Sequence, residues 1–250
     1  MSKKSFCIAN WKIYLNNIES INFMKKFTEY KFLNNNCEVV ICPSFTSIPL
    51  MVDLVKDKRI SMGSQDISIF KKGAYTGDIS IDMIEELGCK WTIIGHSERR
   101  QFYNETNEII RNKMKLVYND SGLSPILCIG ESLEEMNSGL TDEIITNQLE
   151  ISLMDVNFNS NKDLLIAYEP VWAIGTGVSA DIEVISKNMK IIKDFIENLN
   201  TKKCNIYLLY GGSVNENNAS EIFELNEVDG FLIGSASTDP DKFYSIYKQF

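Results

Sequence analysis

The chain contains one histidine, His96, in the segment Gly95-His96-Ser97-Glu98-Arg99-Arg100. Imidazole changes charge near neutral pH, so any acid–base chemistry that uses it falls on this position. The residue follows an apolar run and precedes a charged helix start, where the N-terminal dipole favours the neutral ring. A lone histidine is commonly a packed structural residue; this placement favours a site. Glu169 is a second candidate. It closes another apolar run and is followed by Pro170-Val171-Trp172-Ala173-Ile174-Gly175-Thr176-Gly177. A carboxylate there suits a proton acceptor. The apolar loop after it suits either a lid that excludes water or a segment packed permanently in place. Asn10 and Lys12 come next. Strand alternation puts them on one face and Trp11 on the other. An inward lysine needs an anion, whereas an outward one is an ordinary solvated side chain. Finally, Tyr210-Gly211-Gly212-Ser213-Val214 and Ile233-Gly234-Ser235-Ala236-Ser237 are rich in small residues, which let backbone N–H groups approach an anion.

These residues stand at the ends of short apolar runs, which makes the runs the elements that must position them. Strands are expected over residues 5–11, 38–42, 60–65, 91–94, 125–129, 164–168, 206–210 and 230–233. They recur at about the spacing of a βα unit, and most are continuously apolar, as strands covered on both faces are. Amphipathic helices are expected between them, over 105–118, 142–154 and 182–199. In the last of these Ile185, Met189, Ile192 and Ile196 fall at three- or four-residue steps, with Ser179 or Asp181 as N-cap. Eight such strands fit a closed (β/α)8 barrel of eight parallel strands ringed by helices, a single domain over residues 1–250. The same alternation fits an open doubly wound sheet. An open nucleotide-binding sheet would prefer Gly-x-Gly-x-x-Gly after its first strand, and Ile8-Ala9-Asn10-Trp11-Lys12 lacks it.

Composition narrows the function classes. The net charge is −9, and no Lys/Arg-rich block appears, which argues against a nucleic-acid partner. No apolar run approaches the ~20 residues of a membrane helix, and the first residues do not read as a signal peptide. The expectation is a cytoplasmic protein without a membrane partner. The six cysteines include no Cys-x-x-Cys pair and several lie in apolar runs, so buried reduced thiols are expected, not a metal centre.

Taken in order, Ala9-Asn10-Trp11-Lys12, Gly73-Ala74-Tyr75-Thr76-Gly77, Gly95-His96-Ser97-Glu98-Arg99-Arg100, residues 167–177, Tyr210-Gly211-Gly212-Ser213-Val214 and the stretch around Gly234 resemble the triosephosphate isomerase family along the whole chain. The resemblance implies interconversion of dihydroxyacetone phosphate and glyceraldehyde 3-phosphate, with a small phosphorylated triose as substrate and no metal or organic cofactor. It implies Glu169 as base, His96 as hydrogen-bond donor to the enediolate, and Lys12 with Asn10 at the oxyanion and phosphate. Backbone N–H groups of Gly175, Ser213, Gly234 and Ser235 would hold the phosphate. Ile174 and Leu232 would cover the base, Pro170 would begin the lid, and Tyr210 and Ser213 would hold it closed. Glu98 would hold Lys12, beside Ser97. Thr76 would lie on a loop that docks into a second subunit of a homodimer. Two departures from the family pattern stand out: Asp66 in place of Asn, expected to act on Lys12, and Ser235 in place of a second glycine, where a positive φ would carry strain. Two other readings compete. Another phosphate-binding barrel enzyme would share the last two loops without needing Asn10, Lys12, His96 and Glu169 together. A catalytically silent binding barrel would have lost one of those four.

Overall fold

The computed structural model describes residues 3–56, 59–158, 162–173, 180–199 and 204–250. Eight parallel strands close into a barrel in sequence order: β1 (Ser5–Asn10), β2 (Cys37–Cys42), β3 (Ile60–Ser64), β4 (Trp91–Ile94), β5 (Ser124–Ile129), β6 (Leu164–Tyr168), β7 (Ile206–Tyr210) and β8 (Gly230–Ile233). Closure is made by β1 against β8, with Phe6 opposite Gly230 and Ile8 opposite Leu232. Closure excludes the open sheet.

The connecting helices are α1 (Asn17–Phe27), α2 (Ile48–Val55), α3 (Ile81–Glu86), α4 (Ser97–Tyr103), α5 (Asn107–Asp120), α6 (Leu133–Asn137), α7 (Thr141–Leu153), α8 (Ile182–Glu197), α9 (Ala219–Phe223) and α10 (Pro240–Tyr247). Their starts are chemically marked. Asn16 and Glu19 form a capping box on α1, Thr106 caps α5, and Pro240 opens α10 behind the Asp239 cap. The expected stripe on α8 is found, with Ile185, Met189 and Ile192 buried; Asp181 is the N-cap residue, but its side chain accepts no capping bond. Ser179 lies outside the described residues.

Alternation along the strands divides the apolar side chains into two cores. Phe6, Ile8, Val40, Cys42, Trp91, Ile93, Ile126, Cys128, Leu165, Ala167, Leu209 and Leu232 fill the barrel. Cys7, Ala9, Val39, Ile41, Ile166, Phe231 and Ile233 face outward, into a layer with the helices. All six cysteines are buried free thiols. No described helix is long and apolar enough to cross a membrane.

This alternation aims the site. Asn10 continues the inward phase of Phe6 and Ile8, Glu169 that of Leu165 and Ala167, Gly211 that of Leu209, and Gly234 that of Leu232. Each stands one step beyond an inward residue of its strand, at the end of the barrel where catalytic groups of such folds collect.

Candidate active site

A cavity of about 430 Å³ opens at this end of the barrel. Asn10, Lys12, His96, Glu169, Ser213, Leu232, Gly234 and Ser235 are among the described residues that line it. The first, fourth, sixth, seventh and eighth strands each deliver at least one of them.

His96 departs from the strand alternation, and the cause is Gly95. Gly95 has φ +71°, a left-handed conformation, and an added Cβ would stand 2.8 Å from the Ile110 side chain. The chain therefore turns sharply after β4 and sets His96 at the head of α4. There Nδ1 accepts from the backbone N–H of Glu98 at 3.2 Å, which puts the ring's proton on Nε2. Nε2 lies 3.1 Å from Oε1 of Glu169, and the other carboxylate oxygen accepts from the backbone N–H of Ser97 at 3.1 Å. Burial pushes the imidazole's pKa down, but the Glu169 and Glu98 carboxylates together outweigh it and the net direction is up. A proton on Nδ1 would set two donors face to face, so the ring stays the Nε2–H tautomer in this arrangement.

Glu169 is almost fully buried. Burial alone would raise its carboxyl pKa, yet His96, the Ser97 N–H and Lys12 together hold it below the ordinary carboxylate range. It is ionised and anchored on one side. Gly211 leaves it room, since a Cβ there would come within 2.8 Å of Glu169 Cγ. Leu232 is buried in the cavity wall.

Lys12 enters the cavity by an unusual backbone. Its φ is +50°, and among described non-glycine residues only Asn104 and Asp155 are also positive. Three contacts hold it: its N–H donates to Asn10 Oδ1 at 3.2 Å, its carbonyl accepts from Gln65 Nε2 at 2.7 Å, and its ammonium pairs with Glu98 Oε1 at 2.6 Å. The tip of the side chain lies beside Gly234, where an added Cβ would stand 3.9 Å from Nζ. Amine and glycine-rich turn thus face the same space.

Ser235 opens a short 3-10 turn over Ser235–Thr238 and is exposed. Its φ is not positive, so the serine carries no left-handed strain. The Ser213 hydroxyl donates to the Ala173 carbonyl at 2.6 Å, tying the loop after β7 to the segment Val171–Ala173 that follows Glu169 and the buried Pro170. Tyr210 is buried with its hydroxyl beside Gly212. Ile174 and Gly175 lie outside the described residues. Thr76 lies in residues 70–78, all exposed, where Phe70 and Tyr75 stack at 3.6 Å.

Asp66 is not where its expected role requires. Its carboxylate pairs with Lys113 at 2.6 Å and Arg99 at 2.9 Å, not with Lys12. Glu105 joins both cations, making a quartet of two acids and two bases in which Asp66, Glu105 and Lys113 are buried and Arg99 is half-buried. The residue that does touch the Lys12 backbone is its neighbour Gln65, which the sequence reading passed over. Its position just after β3 was the available signal. Arg100 was missed too: it donates to the carbonyls of Gly95 and Cys128, locking the start of α4 to β5.

The sequence model of a family described as triosephosphate isomerase matches residues 5–250. Curated proteins named triosephosphate isomerase are similar over nearly their whole length. That of Dictyoglomus thermophilum is 42% identical over 248 residues, 98% of this chain and 99% of the relative. That of Aquifex aeolicus is 39% identical over 243 residues, 97% and 98% of the two chains. That of Clostridium tetani is 35% identical over 246 residues, 98% and 96%. With a closed eight-stranded barrel and this site at the ends of its strands, the chain belongs to the triosephosphate isomerase family.

Proposed function

We propose that this barrel, taken as one domain over residues 1–250, interconverts dihydroxyacetone phosphate and D-glyceraldehyde 3-phosphate. The observation that carries the reading is the convergence of a buried ionised carboxylate, a tautomer-fixed imidazole and an ammonium beside a glycine-rich turn on one cavity. In this reading Glu169 leaves its contacts with Ser97 and His96 and removes the proton from the carbon beside the carbonyl. The C–H electron pair becomes the C=C bond of an enediolate, and the carbonyl pair moves to oxygen. His96 donates its Nε2–H to that oxygen, and Lys12 stabilises the negative charge there and on the phosphate. Glu169 then returns the proton to the former carbonyl carbon, while the hydroxyl on the deprotonated carbon gives up its proton to the enediolate oxygen and becomes the new carbonyl, which completes the isomerisation. A carboxylate in water is a weak base, so exclusion of water is part of the mechanism; Leu232 supplies one wall, and the segment containing Ile174 and Gly175 is assigned the cover. Backbone N–H groups of Gly175, Ser213, Gly234 and Ser235 are assigned to the phosphate.

A coupled assay on the purified protein with either triose phosphate, without added metal, tests this. Turnover with both supports it; binding of inorganic phosphate without turnover would favour a silent barrel.

We assign residues 70–78, with Thr76, to a homodimer interface. Ile13 is 93% exposed, and Tyr14, Phe70, Tyr75, Met83, Phe102 and Tyr103 are also exposed apolar groups. Large apolar exposure favours burial against a partner. Light scattering that finds a fully active monomer would defeat the assignment. Free thiols and a triose-phosphate substrate suit the cytoplasm.

A further inference from the structure

The charged side chains among the described residues lining the cavity are Lys12, Glu169, Glu216 and Lys242, with His96 and Tyr14 as further titratable groups. Lys12 is matched by Glu98, and Glu169 faces His96. Glu216, in the loop after β7, adds a negative charge to a cavity meant for an anion. Lys242 lies in the first turn of α10, directly after the turn that begins at Ser235. The acidic residues around it are turned elsewhere. Asp239 Oδ1 accepts from the backbone N–H groups of Asp241 and Lys242, and the Asp241 carboxylate engages Lys26 and Tyr30. Lys242 makes no ion pair among the described residues, so its charge is the uncompensated positive one at the cavity.

We propose that Lys242 is a specificity-determining residue for the phosphate: from the cavity rim it draws the phosphate ester in and offsets Glu216. A protein of net charge −9 repels a phosphate dianion at long range. Inside a Debye length of roughly 8 Å at physiological salt, local charges decide capture. Lys12 cannot supply this alone, because its charge is matched by Glu98 at 2.6 Å. The inference rests on the triose-phosphate reading for its substrate, but not for its anion.

The test compares Lys242→Glu with Lys248→Glu, an exposed lysine at the far end of the same helix. Both shift the net charge equally. At about 10 mM ionic strength, Lys242→Glu lowers kcat/KM for glyceraldehyde 3-phosphate about five- to twentyfold with kcat within about twofold, and the deficit shrinks below about twofold near 0.5 M salt. Lys248→Glu stays within about twofold throughout, and Glu216→Gln raises kcat/KM at low salt. Equal effects of the two lysine variants, or a Lys242→Glu deficit that persists at high salt, would overturn the proposal. Calorimetry with inorganic phosphate separates it from the functional reading. If wild type turns over no triose phosphate, that reading fails, yet Lys242→Glu must still weaken phosphate binding more than Lys248→Glu does. Equal phosphate binding by the two variants defeats Lys242 whatever the activity.

Discussion

Oε1 of Glu169 sits 3.1 Å from Nε2 of His96, so the proposed base and the proposed electrophile hold each other. The same contact lowers the carboxyl's pKa and raises the imidazole's. Releasing it returns both groups towards their ordinary values: Glu169 becomes more basic and His96 less easily protonated, as proton abstraction followed by hydrogen-bond donation requires.

Replacing Glu169 by Gln is expected to cut kcat by at least about 10²–10⁴-fold, the usual worth of positioned proton transfer. The fold should persist, because residues at this end of the barrel serve the site more than stability. Steady-state kinetics with circular dichroism check both parts. A variant retaining a tenth of the wild-type kcat would remove Glu169 from the base role.

The same substitution should move the His96 titration. With one histidine in the chain, imidazole resonances in an NMR pH series report this ring alone. Burial pushes its pKa down, and Glu169 with Glu98 pushes it up, so loss of the Glu169 carboxylate must lower it. Linkage gives a second readout. The raised histidine stabilises below its unfolded pKa near 6.5 and loses this as pH rises through the folded value. The lowered Glu169 stabilises above its unfolded pKa near 4.3 and loses this as pH falls through the folded value. Their joint contribution is therefore largest between about pH 4.3 and 6.5, and Glu169→Gln should flatten urea-derived stability there. An unchanged imidazole titration would contradict the contact.

Ser235→Gly should leave kcat almost unchanged and shift KM by less than about tenfold, equivalent to about 1.4 kcal/mol. With φ not positive there is no strain for glycine to relieve. The change removes one exposed hydroxyl and keeps the backbone N–H. An effect confined to KM marks a contact held equally in ground and transition states. Abolished activity would place Ser235 in the chemistry.

Lys113→Met should destabilise the fold by about 3–5 kcal/mol, because it leaves the buried Asp66 and Glu105 carboxylates with Arg99 alone. Asp66→Asn should cost far less. Burial already raises the Asp66 pKa despite Lys113, so its charge is held at a cost that an amide avoids. Urea denaturation distinguishes the two; equal losses would mean that the quartet does not act as a charge-balanced unit.

Much of this was legible in the sequence because strand alternation is a local rule. Continuous apolar runs marked the strands to within one residue at either end; Asn10 closes the first, and Glu169, Gly211 and Gly234 are the first residues beyond the sixth, seventh and eighth. What stayed hidden depends on contacts between distant segments. Asp66 finds Lys113 across 47 positions, and Lys242 reaches the cavity from the chain's final helix. Such pairings carry no period and no spacing. Barrel and open sheet were likewise indistinguishable until β1 met β8, since closure belongs to the whole sheet.

The left-handed backbone at Lys12 sets activity against durability at a single position. A lysine there carries roughly 1–2 kcal/mol of conformational strain that glycine would not. The substitution that best suits the main chain is thus the one with no ammonium to offer. Selection for a tougher barrel alone would erode this lysine, so its presence marks a position governed by function.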